Sequence, residues 1–156
     1  RGTSNVGVIQ GGDATNVVTD RVRIRAEARS HQPRFRQRIV AEIEKAFRNA
    51  AAEVKNAAGV TGSVQIDGRL DYESYRLHDK EPCVRLAADA VRAIGRQPEL
   101  AVTNGGLDAN WLVKHGISTV SLGCGQLHPH MVSEALCVPD FEDACRVALR
   151  LATAVP

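Results

Sequence analysis

Aromatic side chains are scarce in this chain of 156 residues: three Phe, two Tyr and one Trp, 4% in all. Its lysines and arginines are scattered rather than blocked, and they exceed the acidic residues by only two charges. That combination leaves no basic, aromatic-studded face, and it excludes nucleic acid as an expected partner. No apolar run approaches the length that spans a membrane, and no signal peptide is visible. Paired cysteines are lacking too: Cys83, Cys124, Cys137 and Cys145 show no Cys-x-x-Cys spacing. They are expected to be mostly buried free thiols in a reducing, cytoplasmic compartment. Methionine is nearly absent. Its one occurrence is Met131, and the chain opens Arg1-Gly2-Thr3, as expected of a processed chain or a fragment. Repeats and low-complexity segments are missing, while 44% apolar and 24% charged residues suit a globular protein.

What is present divides in two. Ser4 to Gln10 reads as a strand ended by Gly11-Gly12-Asp13. Val22 to Ala28 is a second, with Val22, Ile24, Ala26 and Ala28 alternating against Arg23, Arg25 and Glu27. Period two of this kind marks a half-buried strand. Phe35, Ile39, Ile43, Phe47, Ala50 and Val54 recur at steps of three and four, predicting a long helix with Ser30 as N-cap and Gly59 as terminator. A third alternating strand is predicted at 61–70 around Val64 and Ile66. Strand, strand, helix, strand suits an α+β layer, and it is incomplete for a ferredoxin-like domain, which would add a strand and a helix before residue 1.

After a polar connector at 71–80, Pro82 starts a predicted helix that runs to Gly95. Apolar runs at 100–103 and 119–122 read as short strands on either side of a helix from Asp108 to His115, closed by Gly116. The length of that unit suits a crossover between parallel strands. A last helix is predicted from about Asp140 to Ala154, so the second half reads as α/β with parallel strands. The expected domains are 1–77 and 78–156.

Two loops leave the carboxyl ends of those short strands, where open parallel sheets bind ligands. The first, Asn104-Gly105-Gly106-Leu107-Asp108-Ala109, combines two glycines with a helix start that Asp108 is placed to cap. The second, Gly123 to His130, carries His128 and His130. One segment offering one or two imidazoles cannot satisfy a catalytic zinc, which takes three protein ligands. His31, His78 and His115 have no carboxylate at ligand spacing, so any metal here draws most of its ligands from elsewhere.

Three segments then carry a resemblance. Gly11-Gly12-Asp13-Ala14-Thr15-Asn16-Val17-Val18-Thr19-Asp20 resembles the Gly-Gly-x-x-x-Asn-Val-hydrophobic-x-Asp signature of the zinc exopeptidase superfamily of peptidase T, carboxypeptidase G, aminoacylase and succinyl-diaminopimelate desuccinylase. Gly105-Gly106-Leu107-Asp108-Ala109 is similar to its Gly-Gly-(Thr/Ser)-Asp-Ala loop, with Leu107 in place of Thr or Ser. His130-Met131-Val132-Ser133-Glu134 is similar to its C-terminal His-x-x-x-Glu. The segments follow the family's order along nearly the whole chain.

The resemblance implies half of an α/β catalytic domain, preceded by an incomplete ferredoxin-like lid domain that forms a homodimer. It implies a dizinc hydrolase of short peptides, of the aminopeptidase or tripeptidase kind. The same motifs serve an amidohydrolase or deacylase, and a non-catalytic dimerisation scaffold is the alternative from another class. It assigns His130 as a metal ligand, chosen over His128 by its spacing to Glu134, and Gly105 and Gly106 to the substrate backbone. Asn16 resembles the lid asparagine that reaches the neighbouring subunit's substrate, and Arg29 the arginine that pairs with a substrate carboxylate. The family's His-x-Asp motif and Glu-Glu pair would precede residue 1, which leaves no catalytic residue in this segment. On that reading the segment alone is inactive.

Overall fold

The computed structural model describes residues 1–153, which divide into two compact units, one ending at Ser74 and the other beginning at Tyr75. The first is built on an antiparallel hairpin of β1 (Gly2–Gly11) and β2 (Val22–Ser30), with register Gly2↔Ser30 through Gly11↔Val22. A bulge at Gly7 shifts the pairing, so that Val6 faces Ala26 and Val8 faces Arg25.

Helix α1 (Pro33–Glu53) covers the Ser30 end of the hairpin. Gly2 makes this approach possible, since a Cβ there would lie 2.8 Å from the Ile39 Cδ1 and 2.7 Å from the Arg29 carbonyl. Phe35, Ile39, Ile43 and Phe47 are half-buried at the predicted helical spacing. The predicted cap is displaced. Gln32 occupies the N-cap with no side-chain bond of its own. Ser30, only 1% exposed, instead closes the corner: its Oγ accepts from the Gln32 N–H at 3.1 Å and donates to the Arg1 carbonyl at 2.9 Å.

The helix also stops short of Gly59, at Glu53 with Val54 as C-cap. The Asn56 side chain accepts from the Ala58 and Val60 N–H groups, which forms a separate turn, and Gly59 at φ +78 serves that turn. The strand expected at 61–70 is not formed; Lys55↔Thr61 is an isolated bridge and no ladder follows it. Val64 and Ile66 keep their alternation of half-buried and exposed positions, but a strand needs a partner, and this segment joins neither edge of the β1–β2 pair. Farther on, Arg36 of α1 donates to both Glu73 oxygens, at 2.9 and 3.0 Å, and this fork holds the end of the unit to the helix.

The second unit is organised by α2 (Pro82–Ala93), α3 (Asp108–Lys114) and α4 (Val138–Thr153). Helix α2 packs on α4, and the buried apolar side chains of the unit are Val84, Ala87, Ala88, Ala90, Ala109 and Val147. Pro82 opens α2 as predicted. Gly95 (φ +81) and Gly116 (φ +82) close α2 and α3 in the same way. In each case the glycine N–H and the next one return to the last turn: Gly95 to Arg92 and Arg96 to Val91, Gly116 to Val113 and Ile117 to Leu112.

The parallel strands expected at 100–103 and 119–122 do not form ladders among the described residues. The reason is again pairing, since among the described residues neither run joins a strand ladder. The Thr119 carbonyl accepts from the Tyr75 hydroxyl at 3.0 Å. The ladder that does form here is short and antiparallel: β3 (Gln126–Leu127) on β4 (Ala135–Leu136).

The cysteines depart from expectation as well. All four are free thiols, but Cys124 and Cys145 are exposed and Cys83 and Cys137 are only part-buried. Cys145 lies two residues from the buried Val147, about 200° around α4, and therefore off its packed face.

Past the end of α2, Arg96 reaches α4 through Asp143 (2.6 Å) and Asp140 (3.0 Å), and Arg146 adds a contact to Asp143 at 2.8 Å. The Arg96 hydrogen bond, reinforced by the charges of Arg96 and Arg146, holds the Asp143 carboxyl below its ordinary range. A carboxyl lowered on folding contributes stability above its unfolded value, near pH 4, and loses it as the pH falls through the folded value. Asp143→Asn is therefore expected to lower the denaturation midpoint at pH 7 and to flatten its fall between pH 4 and more acid conditions, as measured by urea titration.

Candidate functional site

The second unit carries both candidate loops. In the first, the backbone N–H of Leu107 donates to the Asn110 Oδ1 at 2.9 Å, and the Asn110 N–H returns to the Leu107 carbonyl at 3.0 Å. Asn110 is 6% exposed and fixes the entry to α3. Leu107 is the N-cap and has no side-chain acceptor, so only one half of a reciprocal cap exists. Asp108, expected to be the cap, is instead the first helical residue, where its charge favours the helix N-terminus. A Cβ on Gly105 would meet only the Thr103 hydroxyl, at 3.6 Å, an ordinary contact. Nothing internal demands a glycine at 105.

The second loop is pinned at its base by Gly125. Its carbonyl accepts from the Cys137 N–H at 2.8 Å, its φ is +79°, and a Cβ would stand 2.7 Å from the Cys137 carbonyl oxygen and 2.9 Å from the Phe141 nitrogen. Only glycine fits. Between β3 and β4, His128 (φ 50) and His130 (φ 65) both hold left-handed backbone conformations. For non-glycine residues that conformation costs of order 1–3 kcal/mol and persists only where neighbours enforce it.

Glu134 is one enforcer. It accepts from the His130 N–H at 2.6 Å through Oε2 and from the Gln126 amide at 2.8 Å through Oε1. These bonds favour the ionised form, so the carboxyl is held below its ordinary range, chiefly by the His130 N–H. The His130 ring is exposed and makes no hydrogen bond among the described residues. Both its nitrogens are therefore free for a metal or a proton. Among the described residues no three potential ligands gather into a metal-binding group, so His130 fits a metal as one donor of a set and does not complete one.

The first unit holds the other candidates. Asn16 is exposed in the loop that joins β1 to β2, beside Val17 and the almost fully exposed Val18. Arg29 is paired with Thr3 at the opposite end of the hairpin. Seven residues of strand separate it from Val22, about 23 Å at 3.3 Å per residue. Arg29 donates to the Glu27 carboxylate at 2.6 Å, which raises its already high pKa, while its Nε is buried without a partner. Two contributors were not apparent from the residues alone. Asn110 stands three positions after the N-cap, where a capping side chain can be looked for. Gln126, eight positions before Glu134, carries no local signal.

Residues 4–154 match the model of Peptidase family M20/M25/M40. The chain belongs to this family. Among its relatives is an uncharacterised protein of Bacillus subtilis strain 168, YqjE, 35% identical over 139 residues, which are 89% of this chain and 36% of that protein. Two solved structures in the comparison are an aminopeptidase PepT from Bacillus cereus, 33% identical with a TM-score of 0.65, and a tripeptidase from Staphylococcus aureus, 29% identical with a TM-score of 0.73. Each covers 96% of this chain, and the chain covers 39% of each. This M20/M25/M40 chain thus spans little more than a third of the relatives it matches.

At Leu107 the chain departs from the Thr or Ser of the resembling loop. Leu107→Ser supplies the missing hydroxyl acceptor for the N-terminus of α3, and Leu107 is exposed, so little apolar burial is lost. The substitution is expected to stabilise the second unit by about 1 kcal/mol, read as a higher urea midpoint.

Proposed function

We propose that this chain supplies one wall of the active site of a dizinc peptidase that releases residues from short peptides, with the other metal ligands contributed from outside its 156 residues. The His130 loop carries the reading. Its backbone bonds are committed to Glu134 while its imidazole is free, which is the arrangement a ligating histidine needs. When bound, zinc would supply Lewis acidity toward the scissile carbonyl.

The chain's own residues then have distinct tasks. His130 holds one ion. Gly105, glycine without an internal reason, leaves room for the substrate main chain, and Gly106 continues that surface. Arg29 engages a substrate carboxylate through its guanidinium. Asn16 lies in the loop beyond Val22, which is itself about 23 Å of strand from Arg29. A tripeptide extends only about 10 Å, so the two ends of one hairpin serve different substrates. That separation favours a homodimer in which the first unit, acting as a lid, sends Asn16 to the partner's site. The second unit is then the half of the catalytic domain that carries the metal histidine.

The chain alone is expected to bind zinc poorly and to hydrolyse no tripeptide; robust hydrolysis by the isolated chain would sink the reading. In the longer protein, His130→Ala is expected to abolish turnover and lower zinc content, and His128→Ala to do less. Atomic absorption together with a panel of tripeptides and N-acyl amino acids checks this, and the panel separates a peptidase from a deacylase. Arg29→Ala is expected to raise KM by about tenfold or more with a smaller change in kcat, measured by steady-state kinetics.

A further inference from the structure

His128 and His130 share one loop, one backbone conformation and one degree of exposure. They differ in what holds them. The His130 N–H is bound to a carboxylate at 2.6 Å, whereas at His128 the backbone carbonyl accepts from the Met131 N–H at 3.1 Å. Both Glu134 oxygens are engaged inside the loop, one by His130 and one by Gln126. Glu134 also sits next to β4, whose residues Ala135 and Leu136 pair with Leu127 and Gln126. The carboxylate thus ties the loop's far side to the ladder at its base.

We propose that Glu134 is a positioning residue that fixes the left-handed backbone of His130 and so aims its imidazole at the metal, with Gln126 holding the carboxylate in place. This rests on the reading of His130 as a metal ligand. Without the carboxylate, a seven-residue loop bearing two left-handed non-glycine residues loses its internal acceptor and relaxes toward negative φ. That rotates the direction in which the His130 side chain leaves the backbone. An amide can partly substitute. In Glu134→Gln the new side-chain oxygen accepts from the His130 N–H, and the Gln126 amide turns to offer its oxygen to the new NH2. Alanine leaves neither contact.

The experiment measures zinc affinity by chelator competition in the longer protein that contains this chain, for the wild type, E134A, E134Q, Q126A and H130A. In parallel, histidine-selective 15N NMR on the chain reads the His130 amide shift and its HN–Hα coupling, which reports φ. E134A is expected to weaken zinc about 10- to 100-fold and to move the His130 coupling, with E134Q recovering most of both. Q126A, which keeps the carboxylate, is expected to show a smaller loss of affinity and serves if E134A does not fold. A merely structural role would lower the melting temperature of E134A and E134Q without the difference in zinc affinity. Wild-type zinc affinity in E134A overturns the proposal, as does equal damage by E134Q and E134A. H130A separates the two claims. If it loses zinc while E134A does not, the ligand stands and the positioning role falls; if it keeps all its zinc, the ligand assignment has failed and the positioning role with it.

Discussion

A backbone N–H that leaves a helix or a ladder must find an acceptor, and in this chain polar side chains supply it at several turns, four of which flank the helices and the candidate loops. Ser30 takes the Gln32 N–H between β2 and α1, and Asn56 takes two N–H groups after α1. Asn110 takes the Leu107 N–H ahead of α3, and Glu134 takes the His130 N–H between β3 and β4. The elements between these turns bury few large side chains, and the buried apolar set of the second unit is largely alanine and valine. Turn geometry therefore carries much of the weight that a thicker core would otherwise bear, and the candidate site loops hang from two of these four closures.

The two loops are built on different economies of backbone conformation. At Gly125 the left-handed turn is held by a residue that has no Cβ to clash, at a point where the Cys137 carbonyl and the Phe141 nitrogen leave no room for one. At His130 the same region is entered by a residue with a full side chain, and an ionised carboxylate offsets the cost. A side chain that must point somewhere in particular needs such an external restraint. A turn that must only reverse the chain does not.

Glycine and proline signals translated well where the physics was local. Pro82 at the start of α2, and Gly95 and Gly116 at the ends of α2 and α3, act within a few residues of themselves. Gly59 did not end α1, because Asn56 three residues earlier offered the backbone a competing turn. The alternation at 61–70 and the apolar runs at 100–103 and 119–122 indicated extended chain but could not name a partner, and without one no ladder forms. The cysteines misled for a similar reason: an apolar residue on a helix is buried only if its side of the helix is the one covered.

By itself the sequence determined the two strands of the first unit, the helices and the family. Each of these is written in periodicity or in motifs whose spacing is local. The structure decided what spacing along the chain cannot express. It set Asn16 and Arg29 at opposite ends of one hairpin, turned Ser30 from an expected helix cap into a buried corner bond, and brought Gln126 and Glu134 together around the His130 backbone. Those are contacts between groups whose separation depends on how strands pair and loops close, and side-chain chemistry alone does not specify that pairing.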